Sequence, residues 1–200
     1  MKKRIFDVFL SSTMIVACAP VMGVLIAGTA LTLGRPIYFK QKRIGKDGMP
    51  FDILKIRSMT DARDEEGNLL PDAQRMTRFG KLIRKVGIDE LPQLYNILKG
   101  DMSFVGPRPS RDKIPSSFQS IQSDVLSVRP GLTGPAQVQR IKVGSHLPWK
   151  ERLKMDWDYA VNPPSLRRDL KIMVETLPVF VKGSGSDVGR FTASEPNPPL

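Results

Sequence analysis

The chain has 200 residues, 40% apolar and 26% charged, the composition of a folded domain rather than of a disordered or fibrous protein. Its 31 Lys and Arg outnumber 20 Asp and Glu for a formal net charge of +11, so its natural partners are anions: phosphate esters, nucleic acid or an acidic membrane surface. A lone cysteine, Cys18, excludes an internal disulfide and a thiolate metal cluster, and a lone histidine, His146, excludes zinc sites of the H-E-x-x-H kind.

Ile5 to Leu33 reads IFDVFLSSTMIVACAPVMGVLIAGTALTL, apolar apart from Asp7. A cleaved signal peptide and a simple spanning helix both start this way, but the run exceeds an ordinary signal core. Pro20 lies in its middle, where a proline removes a backbone hydrogen bond and bends a helix. Each half then reaches only about 20 Å, short of the roughly 30 Å hydrocarbon core. Lys2, Lys3 and Arg4 precede the run, while Arg35, Lys40, Lys42 and Arg43 follow it, so both flanks favour the cytoplasmic side. A helix-break-helix that dips into the bilayer and returns satisfies both flanks, and a spanning helix satisfies one.

Beyond Arg35, IYFKQKRIG and FDILKIRSM flank an Asp-Gly turn and predict a short β-hairpin. Residues 60–71 read as a polar loop, followed by a helix near Asp72 to Val86 and another from about Asp89 to Leu98, closed by Gly100. Further helices are predicted at 112–127, 148–160 and 165–181, separated by RPGLTGP and NPP. The Gly/Ser/Pro-rich segment from Gly183 reads as a tail. The expected fold is α+β and mostly helical: a re-entrant membrane hairpin over 1–34, a compact cytoplasmic domain over 35–182 with a short β-hairpin, and a tail over 183–200. No P-loop occurs, and GSGSDVG at 183–189 follows a helix with the wrong spacing for a dinucleotide fingerprint.

The chemistry concentrates in RKVGIDELPQLYNILKGDMSFVGPRP, residues 84–109. Asp89 and Glu90 stand where a helix begins, with Pro92 in its first turn. Two readings are open: Asp89 as an ordinary N-cap, or Asp89 as a reactive carboxylate. Arg84 precedes the pair, and Arg108 follows it between two prolines that stiffen its loop. Arginine forks suit phosphate oxygens. Lys55 and Arg57, two apart in a strand, would share a face and add a second basic pair. Cations converging on Asp89 would keep it ionised and let a diphosphate approach, with Mg²⁺ bridging.

IDELPQLYNILKGDMSFVGPRP closely resembles the signature of the bacterial monotopic phosphoglycosyl transferases, small single-domain enzymes that begin glycan assembly. The resemblance continues through KRIFD, the Pro-broken apolar hairpin, LKIRSM, DARDEEGNLL, VRPGLTGPAQV and DLKIM. It implies transfer of a sugar 1-phosphate from a UDP-sugar to a polyprenyl phosphate with release of UMP, Mg²⁺ as cofactor, and a location on the inner bacterial membrane with the catalytic domain on its cytoplasmic face. By position, Asp89 is similar to the nucleophile and Glu90 to its partner, for metal binding or proton handling. Lys55, Arg84 and Arg108 resemble phosphate-binding residues, and Asp156 and Asp169 match acidic positions of the pattern and are carried over as substrate-binding candidates, although each also reads as helix-surface charge. The family often has Ser-Pro at the membrane break, whereas this chain has Ala19-Pro20, leaving Thr13, Ser12 or a water to serve the broken backbone. The tail resembles that of members using N-acetylated amino sugars.

The competing class is a membrane-tethered basic module that grips anionic lipid or nucleic acid. Aromatics make up 7% of the chain, and no nucleic-acid motif or stacking platform is present in the sequence, so nucleic acid is not an expected partner.

Overall fold

The computed structural model describes residues 1–110, 119–143, 147–162 and 165–182. His146, the 183–200 tail and the first part of the helix expected at 112–127 lie outside the described residues.

The apolar N-terminal run forms two helices, α1 (Lys2–Ala17) and α2 (Ala19–Leu33), meeting at 61°. Among the described residues no single helix is long and apolar enough to cross a membrane, and only this bent pair meets such a test together. The break falls at Cys18, and Pro20 sits in the first turn of α2, where its missing N–H leaves no helical bond unmade. The backbone closes the junction unaided: the Cys18 N–H donates to Met14 O at 2.8 Å, and the Met22 N–H donates to Cys18 O at 2.8 Å. Thr13 donates to Phe9 O at 2.9 Å, a turn before the break, so its hydroxyl does not serve the junction expected to need it.

The expected hairpin is present as β1 (Tyr38–Ile44) and β2 (Pro50–Ile56), antiparallel with Lys40 opposite Leu54. The helix predicted over 72–86 is two: α3 (Asp72–Arg75) and α4 (Arg78–Val86). Met76 is extended, and the Thr77 hydroxyl caps α4 by accepting the Gly80 N–H at 2.9 Å, so a capping residue inside an apparently continuous pattern restarts the helix. Gly87 ends α4 in the left-handed region at φ 76°, a 3₁₀ turn covers Ile88–Glu90, and α5 runs from Gln93 to Lys99.

Then follow β3 (Ser103–Val105), α6 (Gln119–Leu126), β4 (Gly131–Thr133), α7 (Pro135–Val143), α8 (Trp149–Val161) and α9 (Leu166–Lys182). Helix α7 and the parallel β3–β4 pair correct the sequence reading, which treated RPGLTGP as a separator. Strands of three residues carry too little periodicity to register.

Helices α5 and α9, strands β2 and β3, and Val138 and Tyr159 enclose one core around Ile53, Ile97, Met102 and Phe104, against which Leu10, Met14 and Ile15 of α1 also pack. A second cluster joins Leu25 of α2 to Ile56 and Ile83. The helix pair is therefore seated on the body along both arms. Its first turns are pinned by polar contacts. Arg4 donates to Ile97 O at 2.6 Å and Leu98 O at 2.7 Å, placing a cation at the negative end of α5. Asp7, fully buried, accepts from Ser103 Oγ at 3.1 Å and the Phe104 N–H at 3.2 Å.

Candidate active site

Asp89 lies in the 3₁₀ turn between α4 and α5, only 6% exposed. Neither the turn nor α5 has a side-chain cap, and the N-cap of α5 is Pro92. The helix-capping reading therefore fails, and the carboxylate is buried without being used by the helix it precedes.

Its neighbour Glu90 has a partner. Lys55, on β2, donates to Glu90 Oε1 at 2.5 Å, and both side chains are partly shielded from water. Asn96 holds β2 in place for this contact: its amide donates to Asp52 O at 2.8 Å, and its Oδ1 accepts the Leu54 N–H at 3.1 Å, clamping the strand to α5. Sequence reading missed Asn96, since an asparagine inside a helix carries no pattern of its own.

The two carboxylates diverge in acidity. Burial pushes Asp89 up to about 6, the adjacent Glu90 charge adds to the rise, and Lys55 and Arg84 oppose it. Burial also works to raise Glu90, but Lys55, then Arg108, with hydrogen bonding from Lys55 and Gln93, outweigh it and hold that carboxyl below its ordinary value. Adjacent acids driven apart by their surroundings are how acid and base roles are separated. Here the buried, more basic member is Asp89.

Arg84 is fixed by donation from its Nε to Ser58 Oγ at 2.8 Å. Ser58 is buried beneath α4, where a Cβ on Gly80 would lie 1.9 Å from the Ser58 carbonyl oxygen, so only glycine admits this approach. Arg108 belongs to a block made of two Pro-Gly segments. The Ser103 N–H donates to Pro130 O at 2.9 Å, the Gly106 N–H to Thr133 O at 2.9 Å and the Gly131 N–H to Pro107 O at 2.8 Å. A Cβ on Gly131 would stand 2.1 Å from the Gly106 nitrogen, so the segments interlock backbone to backbone. Between this block, β2 and the dyad lies a small cleft lined by Arg43, Lys55, Glu90, Gln93, Arg108 and Leu132.

The structure thus brings together Asp89, Glu90, Lys55, Arg84 and Arg108. Asp156, on α8, is buried, and burial pushes its carboxyl up to about 7 against the opposing influence of the Arg108 backbone and of the Arg152 and Arg108 charges. Arg57 turns elsewhere: it lies past the end of β2 and donates to Asp61 at 2.5 Å and to Leu33 O and Arg35 O at 3.3 Å. The same-face pairing of Lys55 and Arg57 is not formed, because the strand ends at Ile56. Asp169 is 2% exposed rather than on a helix surface, and it is engaged by Lys3 and by Tyr159, whose hydroxyl donates at 2.7 Å. Lys3 also reaches Val105 O at 3.0 Å. This cluster joins α1, β3, α8 and α9.

Among the described residues no three Asp, Glu, His or Cys side chains are grouped to hold a metal. A closed protein cage is thereby absent there. A carboxylate pair fits Mg²⁺ that keeps several waters and is completed by substrate phosphates.

The sequence profile of the bacterial sugar transferases matches residues 1–183. The chain is 42% identical over 175 residues to an uncharacterized sugar transferase, EpsL, of Bacillus subtilis, covering 88% of this chain and 85% of that one. It is 40% identical over 189 residues to a UDP-glucose:undecaprenyl-phosphate glucose-1-phosphate transferase of Caulobacter vibrioides, covering 89% of this chain and 69% of that protein. Against the exopolysaccharide production protein ExoY of Rhizobium meliloti the identity is 33% over 203 residues, with 93% and 88% covered. An acidic pair among fixed cations with its first member buried, carried on a sequence that matches nearly from end to end, makes this chain a member of the bacterial sugar transferase family.

Proposed function

We propose that this enzyme moves a sugar 1-phosphate from a UDP-sugar to a polyprenyl phosphate in two steps through Asp89. An Asp89 carboxylate oxygen attacks the sugar-bearing β-phosphorus, the bond from that phosphorus to the bridging oxygen breaks, and UMP leaves. A phosphate oxygen of the lipid then attacks the same phosphorus, the acyl-phosphate bond breaks, and Asp89 is restored as a sugar-diphospho-lipid departs. The carrying observation is the placement of Lys55: it neutralises Glu90 and leaves the buried, more basic Asp89 carboxylate available as a nucleophile. Arg84 and Arg108 supply forks for the phosphate oxygens. Mg²⁺, when bound by the dyad and the diphosphate, would neutralise charge on the leaving UMP. The transferase names of the Caulobacter relative and of others support the substrate pair.

The helix pair supports a re-entrant anchor. Lys3, Arg4 and Asp7 dock on the body at one end, and Arg57 holds the carbonyls of Leu33 and Arg35 at the other. One body cannot stand on both sides of a bilayer. The outward faces of the pair are apolar: Phe9 is 71% exposed, Val16 75%, Val24 69% and Leu31 88%. Such an anchor would hold the site on the cytoplasmic surface of the inner membrane, where a soluble nucleotide sugar meets a membrane lipid.

The test is UMP release from a panel of UDP-sugars with Mg²⁺ and no lipid, joined to intact-mass measurement. Wild type should release UMP and gain one phosphosugar, and Asp89→Asn should do neither. UMP formed only when lipid is added, with no adduct, would establish direct transfer instead. No UMP under any condition would leave a binding module.

A further inference from the structure

Strand β3 has β4 as its one neighbouring strand, and it runs straight into Gly106-Pro107-Arg108. Phe104 and Val105 are fully buried, so a main-chain group that β4 leaves unmet there would stay dry and unpaired. Helix α1 supplies the partners. Asp7, buried on α1, accepts the Phe104 N–H at 3.2 Å and the Ser103 hydroxyl at 3.1 Å through the same oxygen, Oδ1. Lys3 donates to Val105 O at 3.0 Å, an oxygen that also accepts the Tyr159 hydroxyl at 3.2 Å. Immediately beyond, the Gly106 N–H is tied to Thr133 O at 2.9 Å and Pro107 O to the Gly131 N–H at 2.8 Å, so little slack separates β3 from Arg108. Arg4, one turn before Asp7, holds Ile97 O and Leu98 O at the end of α5, the helix that follows the dyad. Helix α1 therefore grips both the strand that leads to Arg108 and the helix that follows Asp89 and Glu90.

We propose that Asp7 is a positioning residue for the transfer reaction: by accepting the Phe104 N–H it stands in for a missing strand beside β3 and fixes where Arg108 is held, so that α1 is part of the active-site scaffold as well as an anchor. This assignment goes beyond membrane attachment, and it rests on reading Arg108 as a phosphate ligand. The required group is one acceptor oxygen, which asparagine keeps and leucine lacks. Leucine also makes α1 more apolar, so its effect cannot come from a weaker hold on the bilayer.

Two measurements distinguish this assignment from the function on which it rests. The first is amide hydrogen exchange of the full-length protein in detergent micelles. Asp7→Leu should speed exchange of the Phe104 amide at least tenfold, with peptides from the β1–β2 hairpin unchanged as the control for folding, and Asp7→Asn should keep its protection. Wild-type protection of Phe104 in Asp7→Leu overturns the assignment whether or not any UDP-sugar is a substrate. The second is UMP release with Mg²⁺ and no lipid acceptor. Asp7→Leu should raise KM for the UDP-sugar at least tenfold, Asp7→Asn less than threefold, and in an Arg108→Ala background Asp7→Leu should add less than twofold. Unchanged UMP release by Asp7→Leu would make α1 an anchor alone, and a full multiplicative loss in the Arg108→Ala background would show that Asp7 does not act through Arg108; either result overturns the positioning role. If Asp7→Leu also loosens the hairpin, Asp7→Asn decides: a KM near that of wild type supports the acceptor role, and a loss equal to that of Asp7→Leu overturns it. Absence of UMP release by wild type would count against the proposed function and leave the exchange result to decide on Asp7.

Discussion

Lys55 contacts Glu90 Oε1 at 2.5 Å, and in doing so it divides a pair of adjacent acids into one neutralised member and one buried, more basic member. Glu90→Gln removes the like charge beside Asp89 and so lowers its basicity, while leaving the nucleophile in place. UMP release should fall by on the order of tenfold to a hundredfold, yet the phosphosugar adduct should still form. Asp89→Asn should abolish the adduct. Intact mass after incubation with UDP-sugar separates the two, and an adduct on Asp89→Asn would remove Asp89 from the proposed mechanism.

The Lys3–Asp169 pair tests how α1 is held to the body. Asp169 is buried with Lys3 and Tyr159 as partners, and Tyr159 is itself kept protonated by burial and by its hydrogen bond to Asp169. Lys3→Ala would strand a buried carboxylate, a loss of roughly 3 kcal/mol in thermal or denaturant unfolding. Lys3→Met with Asp169→Leu removes both charges and should be less damaging than either change alone, since an apolar pair of similar volume replaces the ions. Additive losses in the double variant would show that the two residues do not act together.

Asp156 gives a pH dependence with a definite sign. Burial raises its carboxyl from 3.8 in the unfolded chain to about 7. Between those values the folded protein holds a proton that the unfolded chain has released, so stability falls as pH rises, and above about 7 both states are ionised and the trend levels off. Asp156→Asn lacks this titration. Its Tm relative to wild type should increase by several degrees from pH 5 to pH 8 and change little beyond, and a difference constant across that range would contradict the raised acidity constant.

The sequence made the dyad, its two arginines and the hairpin legible because each carries a local signal: adjacent acids before a proline, an arginine between prolines, a period of two around Asp-Gly. It did not reveal what each acid would face. Asp169 and Asp156 looked like solvated helix charge because what buries them is distant in sequence, and Asp169 is met by Lys3 from the first turn of the chain. Lys3 and Arg4 read as topological charge, and they prove to be ligands of the body's carbonyl and carboxylate groups. The β3–β4 pair was hidden because its information lies in glycines, whose role is the space they leave between two backbones.

Those N-terminal contacts make the topology of the proposed anchor testable. Straightened at Cys18, the 32 residues from Lys2 to Leu33 would form a helix of about 48 Å, long enough to span a bilayer. Two features oppose this: the junction at Cys18–Pro20, and the docking of Lys3, Arg4 and Asp7 on the body. In a Cys18→Ser background, the Lys2→Cys variant should react with a membrane-impermeant maleimide only after the cells are permeabilised. Pro20→Ala should weaken the first restraint and Arg4→Ala the second, so the double variant should show more outside labelling than either single variant. Labelling of the Lys2→Cys variant in intact cells carrying otherwise only the Cys18→Ser change would mean that the pair spans the membrane, and the shared seating of both arms on one body would then have to break in the bilayer.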